Sequence, residues 1–273
     1  MSLHSRADGT YLFYDVCDTV PPWIDTKETI LFVNGLAIDS DIWVTWLPTL
    51  ADKYRIVRTD LRGFGKSFRP AAGDTWSMAA LAQDVMDIME ACDCERIHFV
   101  GESTGGTLGL YIAAEHPELL TSLTTVSAAH AGGSIENSKL LRDEVESLGM
   151  DAWSEKLMGL RFYPDALPDS MYRWFDTVQR GSTPHCCVDL VDMLVSTDLT
   201  AALPTIQTPT LIVAPDNSPF VSVEQQVERL RAMPNARLEV IARSRHGVSH
   251  SHGPQCARAL RAFLDDLLEG RPT

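Results

Sequence analysis

Nothing in the 273 residues is long and apolar enough to span a bilayer. A spanning helix needs about 18–20 apolar residues, and the longest runs here, such as Thr210-Leu211-Ile212-Val213-Ala214, are strand-sized. The amino terminus, Met1 to Gly9, lacks the apolar centre of a secretion signal. Positive charge is scarce as well: 23 Lys and Arg stand against 37 Asp and Glu, a net charge of −14. A nucleic-acid partner needs a Lys/Arg footprint, and this composition excludes one. There is no internal repeat and no low-complexity tract. The six cysteines (Cys17, Cys92, Cys94, Cys186, Cys187 and Cys256) show no paired zinc-ligand spacing. They read as free thiols of a reducing compartment. These absences predict a cytoplasmic chain with a small-molecule substrate and neither membrane nor nucleic acid as partner. They leave the oligomeric state open between monomer and homodimer.

What is present is a 45% apolar chain, long enough for one large domain or for a core carrying an insertion. Strand-like runs at Thr10–Val16, Thr29–Val33, Tyr54–Thr59, Arg96–Val100 and Leu120–Ser127 alternate with helical stretches. Those stretches start near Asp41, span Met78–Glu90, and follow Gly105. Such alternation predicts an α/β fold with a mostly parallel central sheet flanked by helices. It breaks between about Ala128 and Leu199. That segment is helical in pattern, punctuated by Pro164, Pro168 and Pro184, and rich in aromatics: Trp153, Phe162, Tyr163, Tyr172, Trp174 and Phe175. We read 128–199 as an inserted helical lid, its aromatics an apolar cover over a site, and 1–127 with 200–273 as the core. Alternation resumes with strands at Thr210–Ala214 and Arg237–Ile241 and helices at Val223–Met233 and Ala257–Leu268.

The chemistry centres on Ile97-His98-Phe99-Val100-Gly101-Glu102-Ser103-Thr104-Gly105. A strand runs into Gly101 and a helix leaves Gly105, so Gly-x-Ser-x-Gly falls on a tight strand-to-helix turn. The glycines remove side chains that would clash there, and the turn holds the Ser103 hydroxyl clear of the sheet as a candidate nucleophile. The Thr104 N–H, at a helix start, has no partner one turn back and can stabilise an oxyanion. A second donor can come from the loop after the Thr29–Val33 strand, at the Leu36 N–H, with Gly35 allowing close approach. A serine hydroxyl needs a base. His246, just past the last strand, is the candidate, with His250 and His252 as alternatives.

Together with Asn34-Gly35, Asp60-x-Arg62-Gly63-x-Gly65-x-Ser67, Pro209-Thr210-Leu211-Ile212-Val213 and the late histidine, these motifs resemble an α/β-hydrolase over nearly the whole length. The texture is similar to 3-oxoadipate enol-lactonases and related small esterases, best over Phe32 to Trp43. The resemblance implies a serine hydrolase of small esters or lactones with no metal and no cofactor. C–C bond hydrolases, lyases, cofactor-free dioxygenases, perhydrolases and slow-turnover ligand receptors share the same motifs. In such relatives the triad's acid follows the strand at Thr210–Ala214. Here Ser218 falls at the expected position and Asp216 two residues early. In relatives that draw the acid from the preceding loop it would come from Ala128-Ala129-His130, which holds no carboxylate. Asp216 is therefore the expected acid, with Asp198 or no acid as alternatives. The resemblance also makes Asp60 and Arg62 structural and puts Glu102 at the sheet end or against a nearby donor; Arg161 reads on its own as an exposed arginine, with a substrate carboxylate as the alternative partner.

Overall fold

A computed structural model describes residues 2–24 and 27–271, with backbone only at 139 and 140. The outer bounds expected for the core, 1 and 273, lie outside these. Eight strands form one sheet: β1 (Ser2–Ser5), β2 (Tyr11–Cys17), β3 (Thr29–Val33), β4 (Arg55–Thr59), β5 (Ile97–Glu102), β6 (Leu120–Val126), β7 (Thr210–Pro215) and β8 (Ala236–Ile241). Their spatial order is β1-β2-β4-β3-β5-β6-β7-β8. β1–β2 and β2–β4 pair antiparallel, and every other neighbour is parallel. The helices are α1 (Leu47–Leu50), α2 (Met78–Ala91), α3 (Thr104–Glu115), α4 (Ser138–Arg161), α5 (Asp169–Arg180), α6 (Pro184–Ser196), α7 (Val223–Ala232), α8 (Val248–Ser251) and α9 (Gly253–Leu268). Among the described residues no helix is long and apolar enough to cross a membrane.

The fully apolar β3 is explained by burial on both faces. Leu31 and Val33 pack in one core with Leu81, Val85 and Ile88 of α2 and Leu108 of α3. Ile30 and Phe32 point the other way, into a core with Ile42, Trp43, Trp46 and, from α9, Leu260 and Phe263. The expected helix near Asp41 is a 3-10 turn over Ser40–Trp46, capped by the Asp39 carboxylate. Its three-residue period brings Trp43 and Trp46 onto one side, edge to face at 5.1 Å. Trp46 Nε1 then donates to the Ser249 carbonyl at 2.8 Å and pins α8.

Strand β1 is an addition to the sequence reading. It is a short, exposed edge, Ser-Leu-His-Ser, paired only to β2, so no apolar alternation marks it. Between β6 and β7 the chain runs through α4, α5 and α6. Inside α4, Gly149 (φ 75°, ψ 168°) breaks the helix into two. All six thiols are free, four of them buried. The parallel order delivers the loops after β3, β5, β6, β7 and β8 to one edge of the sheet, where α/β sheets bind ligands.

Candidate active site

Ser103 is the one residue between the end of β5 and the start of α3. Its backbone sits at φ 53°, ψ −119°, a region that costs a non-glycine residue on the order of 1–3 kcal/mol. The surroundings over-determine it. The Ser103 N–H donates to Val126 at 2.8 Å, and its carbonyl accepts from Gly106 and Thr107 at 2.9 and 3.1 Å. A Cβ on Gly105 would stand 2.6 Å from the Val33 carbonyl, and one on Gly101 would collide with the Gly105 carbonyl. The Gly-x-Ser-x-Gly spacing is therefore a packing requirement of the turn.

The loop after β8 brings His246 to this turn, with Nε2 3.2 Å from Ser103 Oγ. Ser127 Oγ donates to the His246 carbonyl at 3.0 Å, and the ring meets Phe220 edge on at 4.8 Å. Burial, then the Arg161 cation, pushes the imidazole down to about 3, so it is neutral at pH 7. The two alternatives lie elsewhere. His250 is buried among Phe162, Trp174 and Phe175, and His252 bonds Ser251 Oγ at the start of α9.

Asp216 does not stand at the imidazole. Its carboxylate accepts from the Arg243 and Ser244 N–H groups at 2.7 and 2.9 Å and closes the loop that carries His246. Two residues nearer the strand than the expected acid, it reaches backbone instead of the ring. The second ring nitrogen, Nδ1, faces Ser218 Oγ at 3.3 Å. Asp198 is exposed and accepts from the Thr200 N–H. The position that would hold a carboxylate is thus occupied by a serine.

Leu36 lies in the turn after β3, stapled by Asn34, whose Nδ2 donates to the Ile38 carbonyl at 2.5 Å and whose Oδ1 accepts from the Leu61 N–H at 3.0 Å. A Cβ on Gly35 would come within 2.9 Å of Ser103 Cβ, so only glycine lets this turn lie against the elbow. Thr104 opens α3 on the other side. Arg161, expected as exposed, is only 2% exposed. Its Nη2 donates to the Leu36 carbonyl at 3.0 Å, its guanidinium lies over Phe175, and Nη1 is 3.9 Å from the fully buried Glu102 carboxylate. Burial pushes Glu102 up to about 7 against the pull of Arg161 and the Gly35 backbone. Nothing in the sequence distinguished Arg161 from a surface arginine, because its burial depends on the end of α4 folding over the elbow. Asp60 caps the Ser40 and Lys66 N–H groups at 2.7 and 2.8 Å, and Arg62 pairs with Asp84. Asp60 thus closes its loop onto the Ser40 turn, and Arg62 ties the same loop to α2.

Between Ser103 and His246 opens a small cavity walled by Ile135, Leu141, Leu194, Phe220 and Val221, with Thr107 and Ser127 the other polar groups. Water-sized spheres can be centred in about 20 Å³ of it, room for about one water. The wall is aliphatic but for Phe220, and none of the aromatics expected from the 128–199 segment lines it. Trp153, Phe162 and Phe175 are buried in the helical segment instead. Among the described residues no three His, Cys, Asp or Glu side chains gather as a metal site.

Residues 28–185 match the family model described as alpha/beta hydrolase fold. The protein named "Putative carbamate hydrolase RutD" in Stutzerimonas stutzeri is 30% identical over 255 residues, covering 88% of this chain and 92% of that one. The enol-lactonase from Burkholderia xenovorans superposes with a TM-score of 0.85 at 20% identity, over 94% of this chain and 98% of that one. A hydrolase from Pseudomonas aeruginosa does so with a TM-score of 0.85 at 22% identity, over 96% and 97%.

Proposed function

The chain belongs to the α/β-hydrolase family, and from that premise we propose that it is a serine hydrolase of small esters or lactones acting through an acyl-enzyme on Ser103. The observation that carries this is the 3.2 Å approach of His246 Nε2 to Ser103 Oγ at a strained elbow. His246 takes the hydroxyl proton as Ser103 attacks the carbonyl, and returns it to the leaving alcohol. The N–H groups of Leu36 and Thr104 hold the oxyanion, and water then clears the acyl group. A cavity with room for about one water cannot hold a substrate, so the 128–199 segment acts as a lid that opens. The acyl group lies against Ile135, Leu141, Leu194, Phe220 and Val221, a wall that suits a short alkyl chain.

A second reading, carbamate hydrolysis, draws on the relatives' printed name. The wall favours the ester. Apart from the reacting Ser103 and His246, its side chains are apolar except for the Thr107 and Ser127 hydroxyls, which bond the Ala129 and His246 carbonyls at 2.7 and 3.0 Å. The test is labelling by a fluorophosphonate, located by peptide mass spectrometry, alongside kcat/KM for a short acyl ester and the carbamate of the same alcohol. Label on Ser103 and a faster ester are expected. Label elsewhere ends the Ser103 mechanism, and a faster carbamate reverses the substrate assignment.

A further inference from the structure

Ser218 Oγ has three polar neighbours. It accepts from the N–H groups of Phe220 and Val221 at 3.3 and 3.2 Å, and it faces His246 Nδ1 at 3.3 Å. A hydroxyl carries two lone pairs and one proton. The two backbone donors take the lone pairs, so what remains for Nδ1 is the proton. We propose that Ser218 is a positioning residue that donates to Nδ1 and so holds His246 in the tautomer with its proton on Nε2, facing Ser103. This rests on the serine hydrolase reading for its consequence, though not for its geometry.

The same cradle explains what a carboxylate would do there. An aspartate offers about four lone-pair sites, enough to accept from both backbone donors and from an Nδ1–H as well. Serine keeps the two backbone bonds and reverses the third. The ring is neutral, being buried and beside the Arg161 cation, so it carries a single proton and the two tautomers exclude each other. In the tautomer that Ser218 favours, Nε2 has no free lone pair for the Ser103 proton. Before each attack Nε2 must release its proton to water and Nδ1 take one from water, with no net change. The Ser218 hydroxyl must turn and give up a backbone bond as it does so. An imidazole in the wrong tautomer costs a serine protease about 10⁴-fold in kcat. Here the wild type turns over slowly because the productive tautomer is the minor one, by the fraction that any minor competent state imposes.

The experiment is a long-range ¹H–¹⁵N imidazole correlation on the uniformly ¹⁵N-labelled full chain at pH 7, with His246 assigned by its loss in His246→Gln. The expected wild-type pattern is a protonated Nε2 and a bare Nδ1. Ser218→Asp should reverse that pattern and raise kcat for a short acyl ester by about 10²-fold. Ser218→Ala should lose the strong Nε2–H preference and raise kcat by less than Ser218→Asp, and it carries the test if the aspartate variant does not fold. A protonated Nδ1 in the wild type overturns the proposal, as does an unchanged pattern in Ser218→Ala. A reversed tautomer in Ser218→Asp with neither turnover nor Ser103 labelling leaves Ser218's role intact and counts against the hydrolase reading instead.

Discussion

Ser103 is held by backbone bonds in a left-handed conformation that a non-glycine residue disfavours, and His246 is tied by the Ser127 hydroxyl on its carbonyl. Replacing Ser103 by alanine removes the attacking oxygen and leaves every bond of the turn in place, since those run through its N–H and carbonyl. Ser103→Ala should therefore lose at least about 10³-fold in ester turnover while its melting curve stays within the range of a surface change. A variant that instead unfolds would show that the hydroxyl carries structure. Asp216 makes the opposite case. It supports the His246 loop through two backbone N–H bonds, and an amide oxygen can replace only part of that. Asp216→Asn should cost about 1–2 kcal/mol in chemical denaturation and leave kcat within about threefold of the wild type on a short ester. A loss near the 10⁴-fold of a true triad acid would restore Asp216 to the mechanism.

At the scale of elements, the helical segment between β6 and β7 supplies Ile135, Leu141 and Leu194 of the cavity wall and a cation beside the turn that carries Leu36. Leu194 of α6 stands in that wall and is nearly buried. Leu194→Ala removes side-chain volume at the acyl end without touching Ser103 or His246. The ratio of kcat/KM for butanoyl over acetyl esters should then rise by about tenfold, the lower end of what a methylene is worth in a pocket. The expected cover over the site was the aromatics of this segment, Trp153 and Trp174 among them. Neither lines the cavity; Trp174 packs on Phe175 and His250. Trp174→Ala should accordingly leave the acyl ranking unchanged while lowering stability. An acyl preference that follows Trp174 and ignores Leu194 would mean the open lid binds substrate on a different surface.

Across the whole molecule, four buried or half-buried groups set opposing pH dependences. His246 and His250 are pushed down to about 3 and about 4 by burial. The unfolded chain therefore binds more protons at these sites below about pH 6.5, and their contribution to stability falls as pH falls. Asp39 and Glu102 are pushed up to about 6 and about 7 by burial. At those sites the folded chain holds the extra proton, and their contribution falls as pH rises through the window between the unfolded and folded values. Between about pH 4.5 and 6 the two pairs oppose each other. Glu102→Gln removes one carboxyl from this balance. Relative to wild type, its unfolding free energy should gain about 1.4 kcal/mol per pH unit from about pH 4.5 to 7 and level off outside that window. A difference that does not vary with pH would mean that Glu102 is fully charged throughout, held by Arg161 against its burial.

The chain by itself determined the α/β order, the Ser103 turn and the loops that carry Leu36 and His246. Each of these depends on local rules: apolar runs buried on both faces of a parallel sheet, glycines where backbones touch, and a histidine just past the last strand. It also showed a serine where relatives carry an acid, but not which way the bond at that serine runs. That direction follows from two backbone N–H groups converging on Ser218, a product of the loop's path. The burial of Arg161, the largely aliphatic cavity wall and the displacement of Asp216 from the imidazole were likewise decided only in three dimensions. In each case a side chain's role is set by elements far away in sequence: Leu36 lies 125 residues from Arg161, and Ser103 lies 143 from His246. No periodicity or spacing records where such segments meet, because their meeting is a property of packing.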